Sequence, residues 1–433
     1  MLIYTHQISN RLKYATDVFF GGMMGVEVNL TTSLAEFNAH QGSKLNYSDD
    51  PSLPGLHIPP AALLFEKGIR EQQLQVGVWK EIPVLFSSNS EAKVSFDPLA
   101  ASFYLLSRYE EYLPHRSDRY GRYLPENSVA LKEGFLHRPI VNIWAREVAS
   151  KIAQIYPSFT TAERNFKVVS TVDIDNAFAY RQKGFMRTLG GFAKDVTQFD
   201  FDNFKKRFLS VMGRYDDPFD TYEELNRMHK DYPVKAVYFF LLADYAHNDK
   251  GVSYRSKNFQ KLIKSIGDYH DIGIHPGFQS NFHPQRLVKE VKRLEKISHR
   301  EVVRSRQHFL MMKFPDTYRR LLGLGITSDY SMGYAQLPGF RAGTCDPYPF
   351  YDLDAEVSTT LILHPFTVMD ATLNLYMELK PQEAIAQTKK LIEEVKAVNG
   401  TFMTLWHNET LGEHWAWKGW SGVLEAILKE ASS

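Results

Sequence analysis

Cysteine is nearly missing from this chain: Cys345 stands alone among 433 residues. One thiol excludes an intramolecular disulfide and any cysteine-rich metal centre. Neither charge predominates. Fifty-one Lys and Arg side chains meet 50 Asp and Glu, for a net charge of +1. That balance argues against nucleic acid as the main partner, because phosphate neutralisation needs a basic surplus. No run approaches the ~18–20 uninterrupted apolar residues of a membrane span. The N-terminal Met1-Leu-Ile-Tyr-Thr-His-Gln7 has neither the basic start nor the apolar core of a secretory signal, which predicts a cytoplasmic protein. No Gly-x-Ser-x-Gly nucleophile elbow is visible, and Cys345 lies in a Gly-Thr-Cys-Asp-Pro turn rather than at a strand end. What is present is ordinary globular material, 44% hydrophobic and 23% charged. At ~150 residues per domain, two or three domains are expected. Aromatics reach 13%, many near polar clusters, as in proteins that stack on sugar rings.

The chain divides by texture. Residues 1–160 show no strict alternation of strands and helices and predict an α+β accessory domain. Asp97-Pro98 supplies an N-cap and a first-turn proline for a helix carrying Phe103, Leu106 and Tyr109. Val141, Trp144, Val148 and Ile152 form the stripe of a second helix, from about 140 to 155. The four prolines of 46–60 predict a long surface loop, and the run 114–121 is polar and turn-rich. From about Phe166 onward, short apolar runs alternate with amphipathic helices. Runs at 167–172, 236–242, 272–274, 301–303, 325–327, 359–363 and 401–406 read as strands. Asp220 and Glu223 predict a capping box before Leu225 and Met228. A helix opens at Pro381 and stops at Asn399-Gly400. Such alternation over residues 161–433 means a parallel sheet, open or closed into a barrel. Residues 181–218 break the rhythm and read as an insertion.

Parallel α/β folds place their active sites at the carboxyl ends of the strands. Here the ends carry Asp173 and Asp175, His275, Arg304, Arg306 and His308, Ser328-Asp329-Tyr330, His364, and Trp406-His407-Asn408-Glu409. Side chains two apart on a strand share a face, so Asp173 joins Asp175, and Arg304 and Arg306 join His308. Two carboxylates ~7 Å apart in a dry pocket repel unless a cation intervenes. A divalent metal held by one carboxylate and imidazoles removes that conflict and leaves the second carboxylate as a base.

The same residues resemble the polysaccharide deacetylases of carbohydrate esterase family 4 over roughly 166–430. Thr171-Val-Asp173-Ile-Asp175 resembles the family's Thr-Phe-Asp-Asp-Gly motif, with Asp173 as base and Asp175 as metal ligand. Gly273-Ile-His275 resembles its His-Ser/Thr-x-x-His motif; the second histidine is replaced by Gln279. Arg306-Gln-His308-Phe resembles Arg-Pro-Pro-Tyr, whose arginine orients the base. Leu405-Trp-His407 resembles the final motif, whose histidine is a general acid or oxyanion stabiliser. The resemblance implies an α/β fold, a distorted, incomplete (β/α) barrel with a separate N-terminal domain. It also implies metal-dependent removal of acetyl groups from a sugar or polysaccharide, with Zn²⁺ as the first expectation and Co²⁺ or Ni²⁺ as substitutes. His308 is the candidate third ligand, with His283 and Gln279 behind it. Arg304 or Arg341 could replace Arg306, and His364 and Asp370 flank the site. Arg341, Trp406 and Tyr330 are the expected substrate contacts, beside an aromatic cluster of Trp415, Trp417 and Trp420. A carbohydrate-binding or scaffold protein without catalysis, and a different metal-dependent amide hydrolase on a related barrel, are the competing readings. The acyl linkage, the sugar and the oligomeric state are not set by these residues.

Overall fold

Short β-branched and aromatic segments between helices fold into two main sheets in this computed structural model, which describes residues 1–88 and 92–433 and, at position 415, the backbone alone. In the first region β1 (Leu2–Thr5), β2 (Asn29–Thr31), β3 (Lys44–Tyr47) and β4 (Leu56–His57) form a sheet ordered β2-β1-β3-β4. All its pairings are parallel, with helices between β1 and β2 and between β2 and β3. Strand β4 also interrupts the expected 46–60 loop. An antiparallel pair, β5 (Gly77–Trp79) and β6 (Ile82–Val84), follows. The helix Pro98–Leu106 starts as predicted: Asp97 accepts hydrogen bonds from the N–H groups of Leu99 and Ala100 at 3.0 Å each. The helix Ile140–Ile155 has the expected span.

The second sheet is built from β7 (Lys167–Ile174), β8 (Lys235–Leu241), β9 (Asp271–His275), β10 (Arg304–Ser305), β11 (Ser328–Asp329), β12 (Tyr348–Asp352), β13 (Val357–Leu363), β14 (Val368–Met369) and β15 (Thr401–His407). Its order is β12-β13-β11-β10-β9-β8-β7-β15-β14. Only the β12–β13 pairing is antiparallel, and no pairing joins β14 to the opposite edge among the described residues. Central strands are buried on both faces, and β8 accordingly reads Ala-Val-Tyr-Phe-Phe-Leu after its first residue. The sheet curls strongly. Phe239 on β8 and Tyr330 after β11 have ring centroids 5.1 Å apart, whereas three interstrand steps on a flat sheet span ~14 Å. The curve encloses a small core that also holds Val237, Phe366 and Leu405.

Two expected strands sit later than the sequence pattern indicates. Val302 and Ile326 are buried before their ladders begin, and the paired residues are Arg304–Ser305 and Ser328–Asp329. The expected capping box is absent as well. Thr221 is the N-cap, without a side-chain bond, and Asp220 lies 3.6 Å from Arg181. Residues 181–218 hold two helices, Phe185–Thr197 and Phe201–Val211. No helix among the described residues is long and apolar enough to cross a membrane.

The two sheets share one apolar core. Tyr351 on β12 lies 4.9 Å from Tyr14 and 5.1 Å from Phe103, measured between ring centroids. Beside this contact Glu111 sits between two guanidiniums, those of Arg108 and Arg341. Edge strand β12 is thereby covered by residues 1–160, which protects it from pairing with another chain.

Candidate functional site

Strand β7 ends at Ile174, so Asp173 is its last inward residue and Asp175 stands just beyond it on the same side. His275 ends β9, and His308 follows β10. These three elements meet where the sheet curls. His275 Nε2 lies 3.1 Å from Asp175 Oδ1, and His308 Nε2 lies 3.3 Å from Asp175 Oδ2. One ligand atom from each of Asp175, His275 and His308 falls within 4.8 Å of the other two. The far nitrogen of each ring is taken up. His275 Nδ1 donates to the Arg306 carbonyl at 2.7 Å, and His308 Nδ1 donates to Asp249 Oδ1 at 3.1 Å. Those acceptors turn both Nε2 lone pairs inward, the arrangement that supports metal-ligating imidazoles.

The donor set fits a divalent cation on a second count. Asp175 Oδ1 and Asp173 Oδ1 are buried oxygens with no hydrogen-bond donor aligned on them, an uncommon situation for native carboxylates. Burial alone would raise the Asp175 carboxyl, but the adjoining His308 and His275 hold it well below the usual carboxylate range. Burial would lower His308, yet Asp175 and Asp249 push it up to about 9. A metal entering here displaces a proton.

Asp173 is 2% exposed, with His275 Nε2 3.8 Å from its Oδ2. Arg306, fully buried, brings Nη1 to 3.9 Å of Asp173 Oδ1 and donates from Nη2 to Thr171 at 2.7 Å. Its guanidinium lies 5.1 Å from the Phe239 ring and 5.4 Å from the Phe366 ring, which fixes its plane by cation–π contact. On the other flank His407 ends β15 with Nε2 3.9 Å from Asp175 Oδ2. Burial would lower this imidazole, but Asp370, followed by Asp175 and Asp173, holds it well above the ordinary histidine value. Glu409 nearby is pushed up to about 7, mainly by burial and then by Asp175.

These groups open into a cavity of about 260 Å³ with apolar walls that include Leu310, Met369, Leu375, Tyr376 and Trp417. Arg122 closes one side. It donates to the Phe309 carbonyl at 3.1 Å, to the Tyr376 hydroxyl at 3.0 Å and to Asp118 at 2.6 Å. Phe309 and Leu310 have φ of 58° and 53°, left-handed values that cost of order 1–3 kcal/mol each. Arg122 therefore pins a strained turn immediately after His308.

The structure gathers Asp173, Asp175, His275, Arg306, His308 and His407, and Asp370 with them. It does not gather the expected substrate contacts. Trp406 is fully buried because alternation on β15 turns Leu405 and His407 into the cavity and Trp406 away from it. Arg341 is 3% exposed and committed to Glu111 and the Gly333 carbonyl. Tyr330 stacks flat on His364, 4.2 Å between centroids, and both line a different pocket beside Lys167, Lys235 and Thr401, where β7, β8 and β15 begin. Arg304 points to Asp271 at 3.0 Å. His283 stands outside the metal-capable group, and Gln279 lies in the short helical turn Phe278–Asn281. Trp417 reaches the cavity, while the side chain of Trp415 lies outside the described residues.

Three contributors escaped the sequence reading: Asp249, Arg122 and the turn at Phe309. Asp249 lies in the loop after β8, beyond the strand end itself, so strand periodicity does not point to it. Arg122 carried no signal, since it comes from a region without strand-end chemistry.

Residues 1–157 match a family of unknown function (DUF7033). No curated protein matches the chain. Among solved structures, the chain is similar to a Mycobacterium smegmatis protein assigned as a polysaccharide deacetylase, at 14% identity and a TM-score of 0.42, covering 63% of this chain and 85% of that one. It is similar to Puue allantoinase at 8% identity and a TM-score of 0.39, covering 62% and 84%. A CE4 family pseudoenzyme from Bacillus anthracis is similar at 10% identity and a TM-score of 0.29, covering 62% and 63%.

Proposed function

We propose that this chain is a metal-dependent hydrolase that removes acetyl groups from a sugar or polysaccharide, on an unclosed (β/α) barrel with residues 1–160 as an accessory domain. The reading rests on one observation: the Asp175, His275 and His308 donors converge between the buried carboxyl of Asp173 and the imidazole of His407. Asp175, His275 and His308 would hold a divalent ion, Zn²⁺ first and Co²⁺ or Ni²⁺ as substitutes, and the chemistry it would supply there is Lewis acidity. Asp173 takes the proton of the attacking water as general base. Arg306 faces it from 3.9 Å, a charge contact that orients the carboxyl without a hydrogen bond. His407, kept as imidazolium by Asp370, gives a proton to the leaving nitrogen or oxygen.

The test is acetate release from N- and O-acetylated oligosaccharides, with and without chelator, for the wild type and Asp175→Ala. The expected outcome is release that the chelator and the substitution each abolish. A protein that binds about one equivalent of Zn²⁺ yet releases no acetate from any of these substrates would overturn the deacetylase reading.

A further inference from the structure

The hairpin of residues 181–218 is built inside out. Between its helices lies a polar cluster: Asp195, 2% exposed, accepts from Arg207 Nε at 2.6 Å and from Asn203 Nδ2 at 2.7 Å. Phe192 and Phe204 add one ring contact at 5.0 Å. The other large apolar side chains mostly face outward. Phe185, Leu189, Ala193 and Val196 recur at helical spacing along one exposed stripe, and Phe201, Phe208 and Met212 along another. Phe199, between the helices, is 80% exposed. Ten of the twenty exposed large apolar side chains found among the described residues fall within 185–215. A concentration of exposed apolar side chains like this one marks an interaction surface.

Charge selects the partner. The chain as a whole is nearly neutral, but 181–218 carries eight basic against five acidic side chains. Lys194, Lys205, Lys206 and Arg214 are exposed beside the apolar stripes, against the exposed Asp200, Asp202 and Asp216. Apolar stripes bordered by lysine and arginine are the composition of helices that lie in the headgroup layer of an anionic bilayer. A polar interior between the helices is consistent with that setting, since the apolar side chains find their partner outside the protein. We propose that this hairpin is a peripheral membrane anchor that docks on anionic lipid. Its root fixes where the anchor holds the molecule. Asp217 accepts from the N–H groups of Ala179, Tyr180 and Arg181 at 2.6, 2.9 and 2.9 Å. Lys183 bonds Asn176, the neighbour of Asp175, and Arg187 donates to the carbonyls of Lys250 and Gly251. The anchor is thus tied to the loops around the candidate site. This docking stands independently of the hydrolase reading.

Sedimentation of the full chain with vesicles tests it, using phosphatidylcholine alone and phosphatidylcholine mixed with phosphatidylglycerol. The wild type is expected to pellet with the mixed vesicles and to stay largely in the supernatant with the neutral ones. Phe199→Asp/Phe201→Asp and Lys205→Glu/Lys206→Glu should each lose about tenfold or more in partitioning, with thermal melting unchanged. Failure of the wild type to bind the mixed vesicles, or binding by both variants equal to wild type, overturns the proposal. So does a concentration-dependent dimer that Phe199→Asp/Phe201→Asp dissociates, because that outcome assigns the face to a second copy of the chain.

Discussion

Asp370 grips His407 twice: Oδ1 lies 2.8 Å from the ring Nδ1, and Oδ2 accepts the backbone N–H of His407 at 2.8 Å. The pair joins the ends of β14 and β15 and sets the tautomer of the imidazole. It also opposes burial and raises the pKa of His407 well above the usual value. A reaction that needs the imidazolium loses rate as pH rises through that raised value. Asp370→Asn removes the largest raising contribution, so the alkaline limb of the pH–rate profile should move to lower pH. The loss of kcat at alkaline pH should approach the ~10²–10⁴ that a general acid supplies. Acetate release measured across pH checks this, and an unmoved limb would remove His407 from the proton transfer.

Asp249 acts through His308. It is 1% exposed, accepts from Nδ1 at 3.1 Å, and also holds the Phe278 N–H at 2.8 Å. Carboxylates behind a ligating imidazole typically carry ~10–100-fold in metal affinity. Asp249→Asn should therefore weaken Zn²⁺ or Co²⁺ binding by about that factor, with activity restored by excess metal. Asp175→Ala should instead abolish stoichiometric binding. Competition against a chromophoric chelator reads both. Wild-type affinity in Asp249→Asn would mean that His308 is not held by this contact.

The site was legible in the sequence to the extent that it obeys strand periodicity. Asp173, His275 and His407 sit at strand ends, where the sequence pattern puts them. His308 was reachable because it shares a face with Arg306, although the ladder there is only two residues long. The same alternation turns Trp406 away from His407. Arg341 was misread for another reason. Its partner Glu111 lies 230 positions away, and no local pattern reports a contact of that range. The small strands β10, β11 and β14 were blurred because two-residue ladders leave almost no period to read. The parallel order of β1–β4 was hidden by strands of two to four residues.

Arg341 is predicted to matter for stability and not for chemistry. Glu111 is buried, and burial would raise its carboxyl; Arg341 and Arg108 together hold it below the ordinary range. Arg341→Met leaves that carboxylate with Arg108 alone and removes one partner of a buried pair, a change that typically costs ~3–5 kcal/mol. Urea unfolding should show a loss of that order, while metal content and kcat of the folded fraction stay at wild-type values. A specific loss of kcat with unchanged stability would return Arg341 to the substrate site.

His229 gives the fold a defined acid sensitivity. Its ring lies between the helix Tyr222–Asp231 and the second sheet, with Nε2 2.9 Å from the Ser170 hydroxyl and Nδ1 3.1 Å from the Tyr238 hydroxyl. Burial, helped by the neighbouring His270, lowers its pKa from 6.5 to about 4. The unfolded chain takes up this proton near pH 6.5 and the native one near pH 4, so between those values the unfolded state binds more protons. Stability therefore falls as pH drops through that window, by about 3 kcal/mol from this group. His229→Gln keeps hydrogen-bonding capacity to Ser170 and Tyr238 but cannot titrate. Unfolding free energies measured by urea across the window should be flatter for the variant than for the wild type. Parallel curves for the two proteins would show that His229 is charged in the native state or that its site opens to water on acidification.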